Sequence, residues 1–237
     1  MLDENLLYEN SDSPACLKAR ICLNLKGVPF RRVPVTLGRA RDLRRLNPLR
    51  KVPVLVLGTD VITDSSRIAR HLDARYPEPA LLPTDAAARA YALLLEEWAD
   101  EALAFLVAAF KWLNPANRVA ALDNTVTEMT GGALRPVVAW ALARSAQRRF
   151  AARGYTAAAL GELEERMRDN LDVLTALLAD KPYLLGRGPT LADVAVFAQL
   201  SRMQRYVERR LLVGRSELEG WLARVEAVPA IAAALVA

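Results

Sequence analysis

Three prolines within residues 77–83 divide the chain into two parts of different character. Proline has no backbone N–H and cannot continue a helix, so a cluster of this kind is typical of a linker. Before it, short apolar segments alternate with helix signals, whereas the segments beyond it are rich in Ala, Leu, Glu and Arg at helical spacing. We therefore predict an α/β domain at 1–77, a linker at 78–86 and an all-helical domain at 87–237.

The α/β domain begins with a predicted strand, helix and strand. Residues 6–8 are apolar, and the Ser-Pro pair at 13–14 is a helix start, with a hydroxyl cap and Pro at the first helical position. Gly27 is a typical residue to end that helix. Residues 30–37 indicate a second strand. Because Pro34 cannot donate to a ladder, we expect this strand at an edge of the sheet.

A β-hairpin and a helix are predicted to complete this domain. Two apolar segments, 52–57 and 61–63, flank the turn Gly58-Thr59-Asp60, and a helix follows to about Tyr76. The arginine-rich segment before the hairpin is predicted to be irregular. The order of elements is therefore βαβ–ββα.

The second half is predicted to contain helices only. Gly131 and Gly132 are expected to separate two of them, while residues 114–130 show no clear pattern. Thr190 and Asp193 form a variant of the capping box and should begin an apolar helix. The predicted helices span 86–113, 133–153, 157–180, 191–210 and 216–227.

The net charge of +5 comes from one part of the chain. The stretch from Lys18 to Lys51 contains eleven basic residues and one acidic residue, Asp42, whereas residues 86–237 contain 18 basic and 17 acidic residues. A local excess suits a small anionic ligand as well as nucleic acid. Since the stretch has no interleaved aromatic residues and no recognition motif, we expect no nucleic-acid partner.

Several other classes are disfavoured. No run of about 18 uncharged apolar residues exists to span a membrane, and the acidic N-terminus is not followed by a signal-peptide core. Cys16 and Cys22 face different sides of one predicted helix, which favours a reducing, cytoplasmic location. With His71 as the single histidine, neither a metal site nor a catalytic triad is expected.

Three short motifs each have a chemical interpretation and a purely structural one. Ser13 could simply cap its helix, or its hydroxyl and the helix N-terminus could stabilise an anion such as a thiolate. A cis peptide bond before Pro53 would expose the backbone of Val52 to an extended peptide, although Pro is also tolerated at a strand start. Asp64 and the serines after it could cap a helix or bind an amino acid's ammonium and carboxylate groups.

These motifs occur in an order that resembles the cytosolic glutathione S-transferases across nearly the whole chain. Each motif alone is weakly specific, but six in order and at family spacing are specific for the fold. The motifs are Leu7-Tyr8, Ser13-Pro14-Ala15-Cys16-Leu17-Lys18-Ala19-Arg20, Lys26-Gly27-Val28-Pro29-Phe30, Asn47-Pro48-Leu49-Arg50-Lys51-Val52-Pro53-Val54-Leu55, Asp64-Ser65-Ser66-Arg67-Ile68 and Pro189-Thr190-Leu191-Ala192-Asp193.

The resemblance implies a thioredoxin-like N-terminal domain, an all-α C-terminal domain, a homodimer, and glutathione as co-substrate with no metal. It also implies roles for seven residues. Ser13 would activate the glutathione sulfur, as in the serine-type tau, phi, theta and zeta classes. Val52, before a cis Pro53, would pair with the cysteinyl backbone. Asp64 and Ser65 would hold the γ-glutamyl end, and Arg39 and Lys51 would meet the glycine carboxylate. The local positive charge would then attract the anionic tripeptide.

The sequence departs from the family pattern at several positions. Arg50 stands where many members have Gly, Asp64 replaces the commoner Glu or Gln, and Ala15 and Lys18 replace Phe and Arg of the tau-like pattern. The class and the second substrate therefore stay open.

Three functions remain to be separated. The leading hypothesis is a transferase that uses the thiol of glutathione to attack a small hydrophobic electrophile. The second is a glutathione-dependent isomerase, dehalogenase or peroxidase, with Cys16 as a possible source of thiol-transferase side activity. The third is a non-catalytic ligand-binding or interaction protein with the same fold.

Overall fold

A computed structural model describes residues 4–130 and 135–236, apart from the side chains of 123–125 and 127. The expected glycine boundary at Gly131 and Gly132 lies outside the described residues. No helix in the described part of the chain is both long enough and apolar enough to cross a membrane.

The N-terminal domain has the predicted βαβ–ββα order. Its elements are β1 (Leu6–Glu9), α1 (Pro14–Leu25), β2 (Arg31–Pro34), α2 (Ala40–Leu46), β3 (Val54–Leu57), β4 (Asp60–Thr63) and α3 (Ser65–Arg75). The four strands form one mixed sheet in the order β2-β1-β3-β4. β1 is parallel to β2 and antiparallel to β3, which pairs with β4 as a hairpin. The prediction that the strand containing Pro34 lies at an edge is confirmed.

One prediction for this domain is wrong. The arginine-rich segment is not irregular, because a 3₁₀ turn at Leu37–Arg39 leads into α2. Leu43 is the one residue of α2 that is buried. A helix this short with one anchoring side chain has almost no apolar periodicity, and for that reason sequence pattern does not reveal it.

Helices are the regular elements of the described part of the C-terminal domain, which also has one isolated β-bridge between Tyr183 and Gly186. Its helices are α4 (Ala86–Trp98), α5 (Ala104–Leu113), α6 (Arg118–Thr130), α7 (Arg135–Ala151), α8 (Leu160–Leu178), α9 (Leu191–Met203), α10 (Ser216–Glu226) and α11 (Pro229–Leu235). A π-helical turn at Ala99–Leu103 joins α4 to α5. The sequence predicted one helix over residues 86–113 and did not predict α11.

Helix α9 lies at the centre of the molecule, with every residue from Leu191 to Leu200 buried. The predicted capping box is present, since Asp193 accepts hydrogen bonds from the backbone N–H and hydroxyl of Thr190, both at 2.9 Å. Asp193 also accepts from the Leu184 backbone and the Trp221 indole, each at 2.9 Å. Because α9 packs against α1 and α4, it fixes the two domains relative to each other.

Candidate functional site

A cavity of about 550 Å³ lies between the two domains and is lined by both. On one side are the start of α1, the segment before β3 and the start of α3. The other side is formed by the α4–α5 region and by α9 with the residues that follow it. The lining residues include Asp12, Ser13, Lys51, Val52, Asp64, Ser65, Ser66, Asp100, Val107, Ala108, Lys111, Trp112, Gln199, Arg202 and Tyr206.

Ser13 occupies the N-cap of α1, directly at the cavity. Its Oγ accepts a hydrogen bond from the Cys16 backbone N–H at 3.3 Å, and Pro14 occupies the first helical position. Because this bond uses an oxygen lone pair, the hydroxyl hydrogen can still be donated to a ligand. The helix N-terminus adds a partial positive charge at the same point. The structural and the functional interpretation of Ser13 are therefore compatible.

The segment before β3 presents Lys51 and Val52 to the cavity, followed by a cis bond to the buried Pro53. Arg50 has φ of 54°, in the left-handed region that glycine adopts most easily. The loop therefore keeps a backbone conformation suited to Gly although the chain has Arg at this position. This departure from the family pattern changes the residue at the loop without removing Lys51 and Val52 from the cavity.

Asp64 has φ of 78° and caps α3. Its Oδ1 accepts from the backbone N–H groups of Ser66 at 3.0 Å and Arg67 at 3.1 Å. Oδ2 has no hydrogen bond among the described residues and Asp64 is exposed, so this oxygen can accept from a ligand ammonium group. Strained backbone of this kind is concentrated at ligand sites. Ser65, beside it, is buried with its backbone at the helix N-terminus.

A buried ionic network supports this end of the cavity. Lys18 Nζ donates to Ser66 Oγ at 3.0 Å and to Glu96 Oε1 at 2.6 Å, and it also forms an ion pair with Asp100. Burial acts to lower the pKa of Lys18, but Asp100 and Glu96 outweigh it and the pKa is raised. Burial raises the pKa of Asp100, which Lys18 partly offsets. The π-helical turn therefore brings an acidic group to the start of α3.

The part of the cavity lining that comes from α5 and α9 combines apolar and polar residues. Trp112, Val107 and Ala108 are apolar, and Gln199 and Arg202 are polar and mostly buried. Neither Gln199 Oε1 nor Arg202 Nε has a hydrogen-bond partner among the described residues, and both atoms are shielded from the cavity. Burial lowers the pKa of Arg202 to about 10, so its guanidinium remains charged at neutral pH. A ligand in this part of the cavity therefore meets an aromatic surface near a cationic side chain.

The basic residues between Lys18 and Lys51 do not all face the site, and three of them are neutralised elsewhere in the domain. Lys18 is paired as described, Arg20 pairs with Glu9 at 3.0 Å, and Lys26 donates to Asp73 at 2.7 Å. All three are buried inside the domain or its interface because acidic partners distant in sequence neutralise them. Arg39 is exposed on the 3₁₀ turn and does not line the cavity. Its contact with glutathione stays a prediction.

Cys16 lies behind Ser13 and is completely buried. Burial raises the pKa of its thiol to about 12, so the thiol is protonated at neutral pH. Its Sγ accepts from the Asn10 backbone N–H at 3.5 Å. These surroundings disfavour the thiol-transferase side activity considered from the sequence, because the thiolate is the reactive form.

Sequence reasoning missed the polar residues of the C-terminal wall of the cavity. Asp100, Lys111, Gln199, Arg202 and Tyr206 fall within segments predicted to be helical, although Tyr206 lies just beyond α9, and no local motif marks them as site residues. The polar residues inside the strongly apolar α9 were the one available signal, because a buried polar group requires a partner.

The comparisons with known proteins agree with this geometry. Residues 7–80 match the family model described as the glutathione S-transferase N-terminal domain, and residues 146–224 match the corresponding C-terminal domain. The chain belongs to the cytosolic glutathione S-transferase superfamily. The thioredoxin-like N-terminal domain and the helical C-terminal domain implied by the resemblance are therefore confirmed. Neither family model covers residues 81–145, a stretch that contains α4, α5 and α6.

Individual members of the superfamily match this chain over different lengths. Glutathione S-transferase Z2 of Arabidopsis thaliana is 42% identical over 83 residues, which are 33% of this chain and 37% of that protein. Maleylpyruvate isomerase of a Ralstonia species is 42% identical over 87 residues, 35% of this chain and 41% of that enzyme. These matches thus span well under half of the length of either relative.

A third relative matches along nearly its full length. Protein LigF of Sphingobium sp. strain SYK-6 is 27% identical over 243 residues, covering 95% of this chain and 90% of that protein. The crystal structure of this relative, the beta-etherase LigF, superposes with a TM-score of 0.74 at 24% identity, covering 99% of this chain and 98% of that one. At this identity the superposition shows the shared fold.

Proposed function

We propose that the protein binds glutathione in the interdomain cavity and uses its thiolate to attack an electrophile held against the C-terminal wall. The observation that carries the proposal is Ser13: it caps α1, faces the cavity, and keeps its hydroxyl hydrogen available. Val52 would pair with the cysteinyl backbone, Asp64 and Ser65 would hold the γ-glutamyl end, and Lys51 would meet the glycine carboxylate.

The magnitudes support this role for Ser13. Lowering the pKa of a thiol by two units requires about 2.7 kcal/mol of differential stabilisation. A hydrogen bond to a charged group contributes about 1.5–3 kcal/mol, and a helix N-terminus about 0.3–1 kcal/mol. The hydroxyl and α1 together are therefore sufficient. The thiolate sulfur would then form a bond to an electrophilic carbon of the second substrate. In a substitution, the leaving group departs with the electron pair of its bond to that carbon. In an addition, the electrons of the substrate's double bond move to an acceptor atom of the same substrate.

Ser13→Ala should lower kcat at neutral pH by about 10- to 100-fold, because it removes the hydroxyl's share of the thiolate stabilisation, about 1.5–3 kcal/mol, and less of the bound glutathione is then ionised. Glutathione affinity, measured by calorimetry, should change little, since the other contacts remain. Ser13→Thr retains both hydroxyl and cap and should keep most activity. Ser145→Ala, an exposed serine of α7, is the matched control. Unchanged turnover in Ser13→Ala would remove Ser13 from this role.

A second candidate function is glutathione-dependent isomerisation or ether cleavage. The relatives favour it, because they include a maleylpyruvate isomerase and the beta-etherase LigF. Glutathione balance separates the reactions: conjugation and ether cleavage consume one thiol per product, whereas isomerisation returns it. Mass spectrometry of products and a free-thiol assay on the same samples distinguish them.

A non-catalytic binding protein remains the alternative from another class. Glutathione at 100 times its dissociation constant should stabilise the folded chain by about 2.7 kcal/mol if the cavity binds it. No thermal shift at millimolar glutathione would contradict the proposed function. The homodimer and the cytoplasmic location remain predictions.

A further inference from the structure

Ser13 is the last residue of a tight turn that joins β1 to α1. The Ser13 backbone N–H donates to Asn10 O at 3.1 Å, and the Asp12 N–H donates to Asn10 Oδ1 at 3.0 Å. Ser11 and Asp12 therefore form the tip of this turn. The position of the Ser13 hydroxyl depends on how that tip is held, because the two are joined by a single peptide bond.

The tip is bound by the C-terminal domain. Glu128 of α6 accepts two hydrogen bonds through Oε2, from Ser11 N at 2.9 Å and from Ser11 Oγ at 2.8 Å. On the carbonyl side, Arg202 Nη2 donates to Ser11 O at 2.7 Å. The N–H, hydroxyl and carbonyl of Ser11 are thus all engaged by residues more than a hundred positions away.

The neighbouring Asp12 is held in the same manner. It is only 4% exposed, and its two carboxylate oxygens are bound by different residues. Arg205 Nη1 donates to Oδ1 at 2.9 Å, and Lys111 of α5 forms an ion pair with Oδ2. The turn before Ser13 is therefore clamped by α5, α6, α9 and the segment after α9.

The clamp borders the site, because Asp12, Lys111 and Arg202 line the same cavity as Ser13. Glu128 itself lies in the stretch that neither family model covers. We propose that Glu128 is a positioning residue, which acts through Ser11 to hold the Ser13 hydroxyl in its donating position.

This inference rests on the proposed function, in which Ser13 stabilises the glutathione thiolate. Small displacements of a reacting group can cost up to about 100-fold in rate, so partial release of the turn in Glu128→Ala should lower kcat by about tenfold. The KM for glutathione should stay within about twofold, because the contacts that bind the tripeptide are not touched. The alkaline shift of the pH–rate profile should accompany the fall in kcat, since a poorly placed hydroxyl stabilises the thiolate less.

The experiment compares three variants with the wild type. Glu128→Ala removes both acceptor contacts, while Glu128→Gln keeps an acceptor oxygen and should recover most of kcat. Glu165→Ala, at an exposed position on α8, should match the wild type. Hydrogen–deuterium exchange of the Ser11–Leu17 amides measures the turn itself, and Glu128→Ala should accelerate it.

The outcomes separate this proposal from the proposed function. A wild type that neither binds nor turns over glutathione defeats the proposed function, whatever the exchange data show. An active wild type with unchanged kcat and pH profile in folded Glu128→Ala overturns the positioning role, even if the amides exchange faster. A lower melting temperature with unaltered kcat has the same meaning, because it assigns Glu128 to stability alone.

Discussion

Ser13 and Asp64 each cap a helix and also have an atom available to a ligand, two roles that the sequence motifs present as alternatives. Ser13 caps α1 through its oxygen and can donate through its hydrogen, while Asp64 caps α3 with Oδ1 and leaves Oδ2 for a ligand. A cap requires an acceptor, and glutathione's thiolate and ammonium require a donor and a second acceptor. Ser13 uses its oxygen for the cap and its hydrogen for the ligand, and Asp64 uses a different oxygen for each. One residue can therefore satisfy both requirements.

Cys16 and Cys22 should be unreactive in the folded protein. Both are completely buried, and burial raises the pKa of each thiol to about 12. The reactive thiolate is therefore scarce at every pH up to well above neutrality. Titration with Ellman's reagent at pH 8 should find essentially no reactive thiol in native protein and two thiols in denaturant. Rapid reaction of one native thiol would contradict this and restore a redox role for Cys16.

At the scale of elements, a hydrogen bond from α1 to α3 and ion pairs from α1 to the α4–α5 region hold the N-terminal half of the site in place. Lys18 of α1 reaches Ser66 at the start of α3 and Glu96 and Asp100 beyond it. Lys18 and Glu96 are each at most 2% exposed, so neither charge has solvent to compensate for a missing partner. The network therefore sets the distance between the starts of α1 and α3, which carry Ser13 and Asp64.

Lys18→Met should destabilise the fold by about 3–5 kcal/mol at pH 7, because it leaves the buried Glu96 and the partly buried Asp100 without their cation. The loss should shrink as the pH falls. Burial already raises the pKa of Asp100, and removing Lys18 raises it further, so the variant regains stability as Asp100 is protonated. Urea unfolding of both proteins at pH 7 and pH 4.5 measures the difference. An equal loss at the two pH values would argue that packing, and not charge, is responsible.

At the scale of the whole molecule, the two domains share one continuous core. Helix α1 packs against α9 and α11 of the other domain as well as against α3 of its own. Asn24 of α1 donates to the Ala230 carbonyl at 3.0 Å, and Ile231 is completely buried beside it. The N-terminal domain thus depends on the last helix of the chain for the burial of its own first helix.

Ile231→Ala should therefore destabilise both domains together, by about 2–5 kcal/mol for a buried large-to-small change. Unfolding should remain a single transition, with the same midpoint by tryptophan fluorescence and by far-ultraviolet circular dichroism. The four tryptophans lie in the C-terminal domain, whereas circular dichroism reports on both. Val236→Ala, at an exposed position of the same terminus, is the control. Two separated midpoints would show that the domains unfold independently.

Most of the fold and half of the site were predictable because their signals are local. The Ser-Pro start of α1, the hairpin turn at Gly58, the edge strand with Pro34 and the capping box of Thr190 each depend on backbone preferences within a few residues. Such preferences operate before any tertiary contact exists. The ordered motifs that resemble the superfamily combine these local signals, and for that reason the family, the fold and the N-terminal residues of the cavity followed from the sequence.

The remaining features were decided by tertiary structure. Lys18 meets Glu96 across 78 positions and Asp12 meets Lys111 across 99, so these charges were neutralised by partners far outside any local window of sequence. Helix α11, with its short apolar sequence, similarly acquires its place by packing on α1 and α10. A buried charge requires an opposite charge nearby, but the tertiary fold determines which residue supplies it. The C-terminal wall of the cavity and the clamp on the turn before Ser13 therefore depend on the tertiary structure.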